Sequence, residues 1–195
     1  MIKRLTALSL CLLSLVATNS FANTLENADI TLLKAFAAGG DLQAQYHLGI
    51  MYSEGLGVEQ NASEAFVWIK KAAEQGLADA QLDLGSLYDA GEGVSQDYHQ
   101  AALWYRKAAE QGVIAAQYNL AVMFETGEGL EQNLLQAYIW YTVAEVYGYK
   151  GARPVIDELV RQLPPEELEK ADHAVMSIVN RINTSKSAAS ESSAE

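Results

Sequence analysis

An all-α, right-handed solenoid of stacked helical hairpins is the fold this 195-residue sequence predicts. Three observations predict it. Trp68, Trp104 and Trp140 stand 36 residues apart. Each period around them carries two short apolar stripes of helical spacing, and glycines punctuate the periods at the same offsets three times.

The elements follow in order. Lys3 and Arg4 precede an uncharged run from Leu5 to Ala17, and Thr18, Asn19 and Ser20 follow it, which is the layout of a secretory signal. Ser20 and Ala22 supply small residues at a cleavage site, so residues 1–22 are expected to be removed and the mature chain to start at Asn23. The apolar run is shorter than the ~20 residues of a membrane span, so no stable membrane insertion is expected after cleavage. Cys11, the single cysteine, lies within the signal. Leu10 before it, where a small residue would be needed, argues against lipid attachment there.

Residues 23–43 read as an N-terminal capping half-repeat. Lys34, Ala37 and Gly40 sit 36 positions before Lys70, Ala73 and Gly76. Three full units then span 44–79, 80–115 and 116–151. In the first, Ala44, Leu48, Met51 and Tyr52 make one face of a helix A, and Ala65, Trp68, Ile69, Ala72 and Ala73 make one face of a helix B. Gly55-x-Gly57, Gly91-x-Gly93 and Gly127-x-Gly129 separate the two helices. Asn61 with Glu64, Asp97 with Gln100, and Asn133 with Gln136 have capping-box spacing at the start of helix B. Gly76, Gly112 and Gly148 stand where a left-handed residue ends it. Gly49, Gly85 and Ala121 are expected to let the paired backbones approach closely. Helices this short are marginal alone, so the hairpins must stack.

The third unit loses the Lys-Ala-Ala signature and reads Thr142-Val143-Ala144-Glu145, which implies a different neighbour there, the C-terminal segment. Residues 152–183 are expected to supply capping helices, one over Pro154 to Leu163 and one starting at Pro165, with Leu168, Ala171, Val175 and Val179 as the closing stripe. Residues 184–195, almost wholly Ser, Ala, Glu and Lys, are expected to be disordered.

The pattern A-x-x-x-L-G-x-x-Y-x-x-G-x-G-V, followed by D/N-x-x-x-A-x-x-W-x-x-K-A-A-x-x-G, resembles the Sel1-like repeat family, which is related to the tetratricopeptide repeats. That resemblance implies a concave wall built from helix A and a role as a protein-protein interaction module, with envelope signalling or assembly as the setting. Aligned with tetratricopeptide repeats, the groove positions become Gln43, Tyr46, Ile50, Ser53 and Glu54, then Asp79, Leu82, Ser86, Asp89 and Ala90, then Ala115, Tyr118, Val122, Glu125 and Thr126. The strongest candidates for partner binding are Tyr46, Ile50, Glu54, Asp79, Leu82, Asp89, Tyr118, Val122 and Glu125. They pair apolar anchors with carboxylates, which suits an apolar and basic protein or peptide segment.

Charge points the same way. The whole chain carries a formal charge of −12, and loss of Lys3 and Arg4 leaves 11 basic against 25 acidic residues, or −14. Such a field repels nucleic acid and steers cationic partners inward. The location expected is the periplasm, or beyond it by secretion. No catalytic, cofactor or metal site is expected: His47, His99 and His173 share no ligand spacing, and Gly-x-Gly-Val lacks the strand and Gly-Lys-Ser/Thr of a phosphate loop. Exported, cysteine-rich Sel1-like proteins have been linked to β-lactam hydrolysis, which makes a peptidoglycan-directed hydrolase or a cell-wall glycan binder the alternative. This chain lacks those cysteines and any Ser-x-x-Lys, the nearest string being Thr31 to Lys34.

Overall fold

A computed structural model of the chain describes residues 30–192; the expected signal, residues 1–22, and the last three residues lie outside them. Among the described residues every regular element is helical. Helix α1 covers 30–38. Three hairpins of equal build follow: α2 (Leu42–Glu54) with α3 (Ala62–Glu74), α4 (Ala78–Ala90) with α5 (Tyr98–Glu110), and α6 (Ile114–Thr126) with α7 (Leu134–Val146), each helix 13 residues long. A 3-10 turn (Lys150–Ala152), α8 (Arg153–Gln162) and α9 (Pro165–Ser192) complete the chain. Each second helix also packs on the first helix of the next unit, so the hairpins form a continuous stack. We call α2, α4 and α6 the A helices and α3, α5 and α7 the B helices.

The caps differ from the expected capping box in one half. Asn61, Asp97 and Asn133 do accept from the amides of Glu64, Gln100 and Gln136, at 3.1, 3.1 and 3.0 Å. The reciprocal bond is not made. Each cap's own amide donates instead to the carbonyl of Tyr52, Tyr88 or Phe124 in the preceding A helix, at 2.8, 2.9 and 2.8 Å. The cap thereby welds the two arms of a hairpin, and Glu64 is released to accept from the Trp68 indole at 3.1 Å.

The second glycine of the second and third pairs acts between units. A Cβ built on Gly93 would meet the Ala62 carbonyl oxygen at 2.1 Å, and one on Gly129 would meet that of Tyr98 at 2.1 Å. The A-to-B loop of one unit therefore rests on the first turn of the previous B helix, at a contact only glycine permits.

A buried glutamine repeats beside Ala44, Ala80 and Ala116. Gln45, Gln81 and Gln117 donate to the carbonyls of Ala37, Ala73 and Ala109 at 3.1, 3.2 and 3.2 Å, in the last turn of the preceding helix. Gln75 and Gln111 in turn donate to Gln45 and Gln81, both at 2.7 Å. These side chains satisfy helix-end carbonyls that the stack takes out of water. The ladder stops where Tyr147 replaces the next glutamine, and the buried Gln117 Oε1 has no hydrogen-bond partner.

The C-terminal cap holds a concealed fourth unit. Ala152, Ile156 and Leu159 follow Ala116, Leu120 and Met123 by 36 residues and are all buried, so the 3-10 turn and α8 occupy the place of a fourth A helix. In place of its B partner, α9 runs alongside α7 in the same direction: Tyr138 Oη donates to Asp172 at 2.8 Å and Tyr147 Oη to Asn183 at 2.9 Å. Val143, where the other units have Lys71 and Lys107, is fully buried in the core that α7 shares with α9. The stripe of Leu168, Ala171, Val175 and Val179 continues to Ile182, which is also fully buried.

The expected disorder from Thr184 onward is not what the structure holds, because α9 continues to Ser192. Ile182 anchors the stretch, and Lys186 reaches the Gly112 carbonyl at 3.4 Å and the Tyr147 ring at 5.2 Å. Thr184, Ser185 and Ser187 bond back to carbonyls one turn earlier, at 2.9 to 3.1 Å. A polar segment that only extends an existing helix avoids the cost of nucleation.

Candidate protein-binding face

The A helices bring the expected binding residues onto adjacent stretches of surface. In α2, Tyr46 and Ile50 are half-buried and Glu54 is exposed. In α4, Asp79 is exposed, while Leu82 and Asp89 are half-buried. In α6, Tyr118, Val122 and Glu125 are half-buried. The apolar members serve two purposes, since Leu82, Tyr118 and Val122 pack on the large core and Tyr46 and Ile50 on the core between α3 and α4. Among the flanking positions, Gln43, Ala90, Ala115 and Thr126 are exposed and Ser53 and Ser86 half-buried.

Hydroxyl-to-carboxylate bonds tie this face together. Tyr46 Oη donates to Asp83 Oδ2 in the next A helix at 2.7 Å. Tyr105 Oη lies 3.2 Å from Ser86 Oγ and 3.3 Å from Asp89 Oδ2, and Tyr141 Oη donates to Glu125 Oε2 at 2.6 Å. Tyr105 and Tyr141 belong to B helices and are buried, so their rings cross the hairpin to reach the A-helix surface. Gly85 makes this passage possible, because a Cβ there would sit 2.6 Å from the Tyr105 ring. Small residues in the A helices thus admit a B-helix side chain as well as a B-helix backbone.

The protonation of the face follows from burial. Burial is the main cause that raises the Tyr46 hydroxyl, with the bond to Asp83 and the charges of Asp83 and Asp79 adding to it. Burial and then Glu125 raise Tyr141 in the same way. Tyr105 is pushed up to about 12, burial first, with Asp89 contributing. These hydroxyls are donors throughout the neutral range. Burial raises the Asp83 carboxyl as well, the Tyr46 bond pulls it back down, and Asp79 adds a smaller upward push.

The chain's own cations are placed elsewhere. Lys71 and Lys107 each lie 3.8 Å from the ring centre of Trp68 or Trp104, Lys70 faces Phe66, Arg106 faces Phe124, and Lys34 faces Tyr52. Ion pairs join Lys70 to Glu74, Arg153 to Glu145 and Asp157, and Arg161 to Glu158. Among the described residues, none of Glu54, Asp79, Asp83, Asp89 and Glu125 has an ion-pair partner, and neither Tyr46 nor Tyr118 carries a cation.

Sequence reasoning did not single out Tyr105, Tyr141 and Tyr149 for this face. The signal was present: Tyr105 and Tyr141 stand 36 apart, as do Asp89 and Glu125. The histidines are dispersed. His47 is exposed beside the Tyr46 ring, His99 Nδ1 is 2.7 Å from the Gly129 carbonyl oxygen, and His173 is exposed on α9. Among the described residues no group of three or more His, Cys, Asp or Glu side chains could hold a metal ion. No described helix is long and apolar enough to cross a membrane. A recess of about 930 Å³ lies at the opposite end from α9, lined by Lys34, Tyr52, Glu64 and Trp68 among others; none of the expected binding residues lines it.

Comparison with known proteins agrees with this architecture. A Sel1 repeat protein from Oxalobacter formigenes is 39% identical, covers 67% of this chain, is itself covered to 98% and superposes with a TM-score of 0.61. A protective antigen of uropathogenic Escherichia coli strains, which displays an SLR fold, is 26% identical over 78% of this chain and 41% of its own, with a TM-score of 0.59. Cysteine-rich protein B of Helicobacter pylori, 23% identical over 65% of this chain and 96% of its own with a TM-score of 0.51, shares the fold. A 40-residue stretch, 20% of this chain, is 48% identical to DAP3-binding cell death enhancer 1 of Rattus norvegicus and spans only 8% of that protein. The Sel1 repeat family matches residues 42–77, 78–113 and 114–144, each match opening on the first residue of an A helix, and with more than half of its length so matched the chain belongs to the Sel1 repeat family.

Proposed function

We propose that this chain is an exported interaction module of the bacterial envelope that holds a segment of a partner protein, bearing apolar and basic side chains, on its A-helix face. Sel1 repeats generally mediate protein-protein interaction. The observation that carries the finer reading is the charge arrangement: five carboxylates border half-buried aromatic and aliphatic side chains, and among the described residues the cations pair on other surfaces and none pairs with these. Carboxylates fixed by tyrosine hydroxyls need no rearrangement to receive a lysine or arginine, which lowers the ordering cost of association. Export to the periplasm, by way of residues 1–22, is supported by the charged, apolar and small-residue order of that segment.

The test is crosslinking in cells followed by purification of the tagged mature chain, beside a variant with Tyr46, Leu82 and Tyr118 all replaced by Ala. Capture of one partner by the parent chain, lost in the variant at preserved helicity, is the expected result. Capture that survives in a folded variant would move the binding surface elsewhere. If the parent chain instead retains cell-wall glycan or reacts covalently with a β-lactam probe, the interaction reading gives way to the glycan-binding or hydrolase alternative.

A further inference from the structure

We infer that Tyr149, Tyr118 and Glu125 form a subsite for one cationic side chain of the bound segment, best an arginine, at the C-terminal end of the A-helix face. The inference rests on the reading of that face as the binding surface, and adds to it the residue type recognised and the place where it docks.

The subsite arises where the repeat breaks down. The fourth A helix opens as a 3-10 turn, and Tyr149 immediately precedes it, where the earlier units have Asp41, Leu77 and Val113. Those residues are short or packed inward. Tyr149 instead lays its ring on Tyr118, with centres 4.6 Å apart and planes tilted by 44°, and remains 38% exposed. Tyr118 also meets Tyr141, with centres 5.3 Å apart. Tyr141 holds the Glu125 carboxylate at 2.6 Å. Three aromatic rings and one carboxylate are therefore fixed together by contacts within the protein.

Aromatic faces attract cations, and a carboxylate close by adds charge to that attraction. Elsewhere this protein satisfies such faces itself, with lysine or arginine over Tyr52, Phe66, Trp68, Trp104, Phe124 and Tyr147. Among the described residues no cation lies over Tyr118 or Tyr149, although Lys150 is the next residue in the chain. A planar guanidinium can lie along the exposed ring and still direct its N–H groups to an acceptor, which a compact ammonium does less well. The cation for this pair of rings is the one expected from the partner.

The test uses N-acetyl-argininamide and its uncharged isostere N-acetyl-citrullinamide as probes, titrated against the mature chain while the tyrosine ring resonances are followed by NMR. Argininamide is expected to shift the Tyr118 and Tyr149 rings in a saturable way, with citrullinamide weaker. Tyr149→Ala, at an exposed position whose loss leaves the core intact, is expected to weaken argininamide roughly two- to fivefold. Glu125→Gln is expected to narrow the preference for argininamide over citrullinamide. Equal binding of the two probes, or binding unchanged by Tyr149→Ala, overturns the subsite. In cells, loss of capture in the Tyr46, Leu82 and Tyr118 variant together with undiminished capture by Tyr149→Ala would retain the face and reject the subsite. Undiminished capture by both would reject the face itself.

Discussion

The two surfaces of the stack handle charge in opposite ways. On the B helices, Lys71 and Lys107 fold back onto Trp68 and Trp104, so the recurrent lysine and tryptophan neutralise one another's demands within the scaffold. On the A-helix surface, Tyr46 and the B-helix residues Tyr105 and Tyr141 donate to carboxylates that pair with no cation among the described residues. The first surface meets its lysines from within the scaffold. The second is organised around carboxylates without a cation among the described residues, and this difference is the basis for proposing it as the recognition surface. The third unit shows what becomes of a B surface that does acquire a partner: its lysine is replaced by Val143, and α9 covers it.

Reversing that last substitution is expected to have the largest effect. Val143→Lys would restore the side chain of the other units beneath a helix that leaves no room for it, at a cost of about 3–5 kcal/mol for a buried, uncompensated charge. Hydrogen exchange is expected to show α9 released from α7 while the first two units stay protected. Next comes Gly93→Ala, which would drive a methyl into the Ala62 carbonyl oxygen from a residue at φ +71°. The expected loss is about 2–4 kcal/mol, read by thermal denaturation, with the damage centred on the contact between units one and two.

The smaller effects sharpen the contrast. Lys107→Ala should cost only about 0.5–1 kcal/mol of stability, the worth of an exposed cation over a ring, and leave partner capture unchanged. Asp83→Asn should act with the opposite sign at neutral pH. The carboxyl's pKa is raised in the folded chain, chiefly by burial, so the fold favours the neutral form and the stability it contributes is lost as pH rises through the folded value. The variant is therefore expected to melt at or slightly above the parent temperature at pH 7, by less than about 1 kcal/mol, and the difference should close on acidification below the usual carboxylate range. Melting curves over a pH series check it.

The period was fully legible because it is written in residues with strong local meaning: tryptophan, paired glycines and cap residues at a fixed offset. Gln45, Gln81 and Gln117 were not, since a glutamine in an apolar helix counts as polar until its helix-end acceptor is known. The fourth A helix was hidden by its missing Gly-x-Gly and tryptophan, although Ala152 and Ile156 kept the register. Composition misread Thr184 to Ser192 because it ignores a helix already anchored upstream by Ile182. The A-helix surface was half legible. Its own residues could be placed by period, but Tyr105 and Tyr141 arrive from the neighbouring helix, and that requires knowing that Gly85 lets a ring through.

The most direct test of the account neutralises the two surfaces separately. In crosslinking from the envelope fraction, a chain with Asp79→Asn, Asp89→Asn and Glu125→Gln would be compared with one carrying Lys70→Gln, Lys71→Gln and Lys107→Gln. The first is expected to lose its partner while folding normally, and the second to capture it as the parent does. Retention by the first and loss by the second would contradict this, and would assign recognition to the B-helix surface.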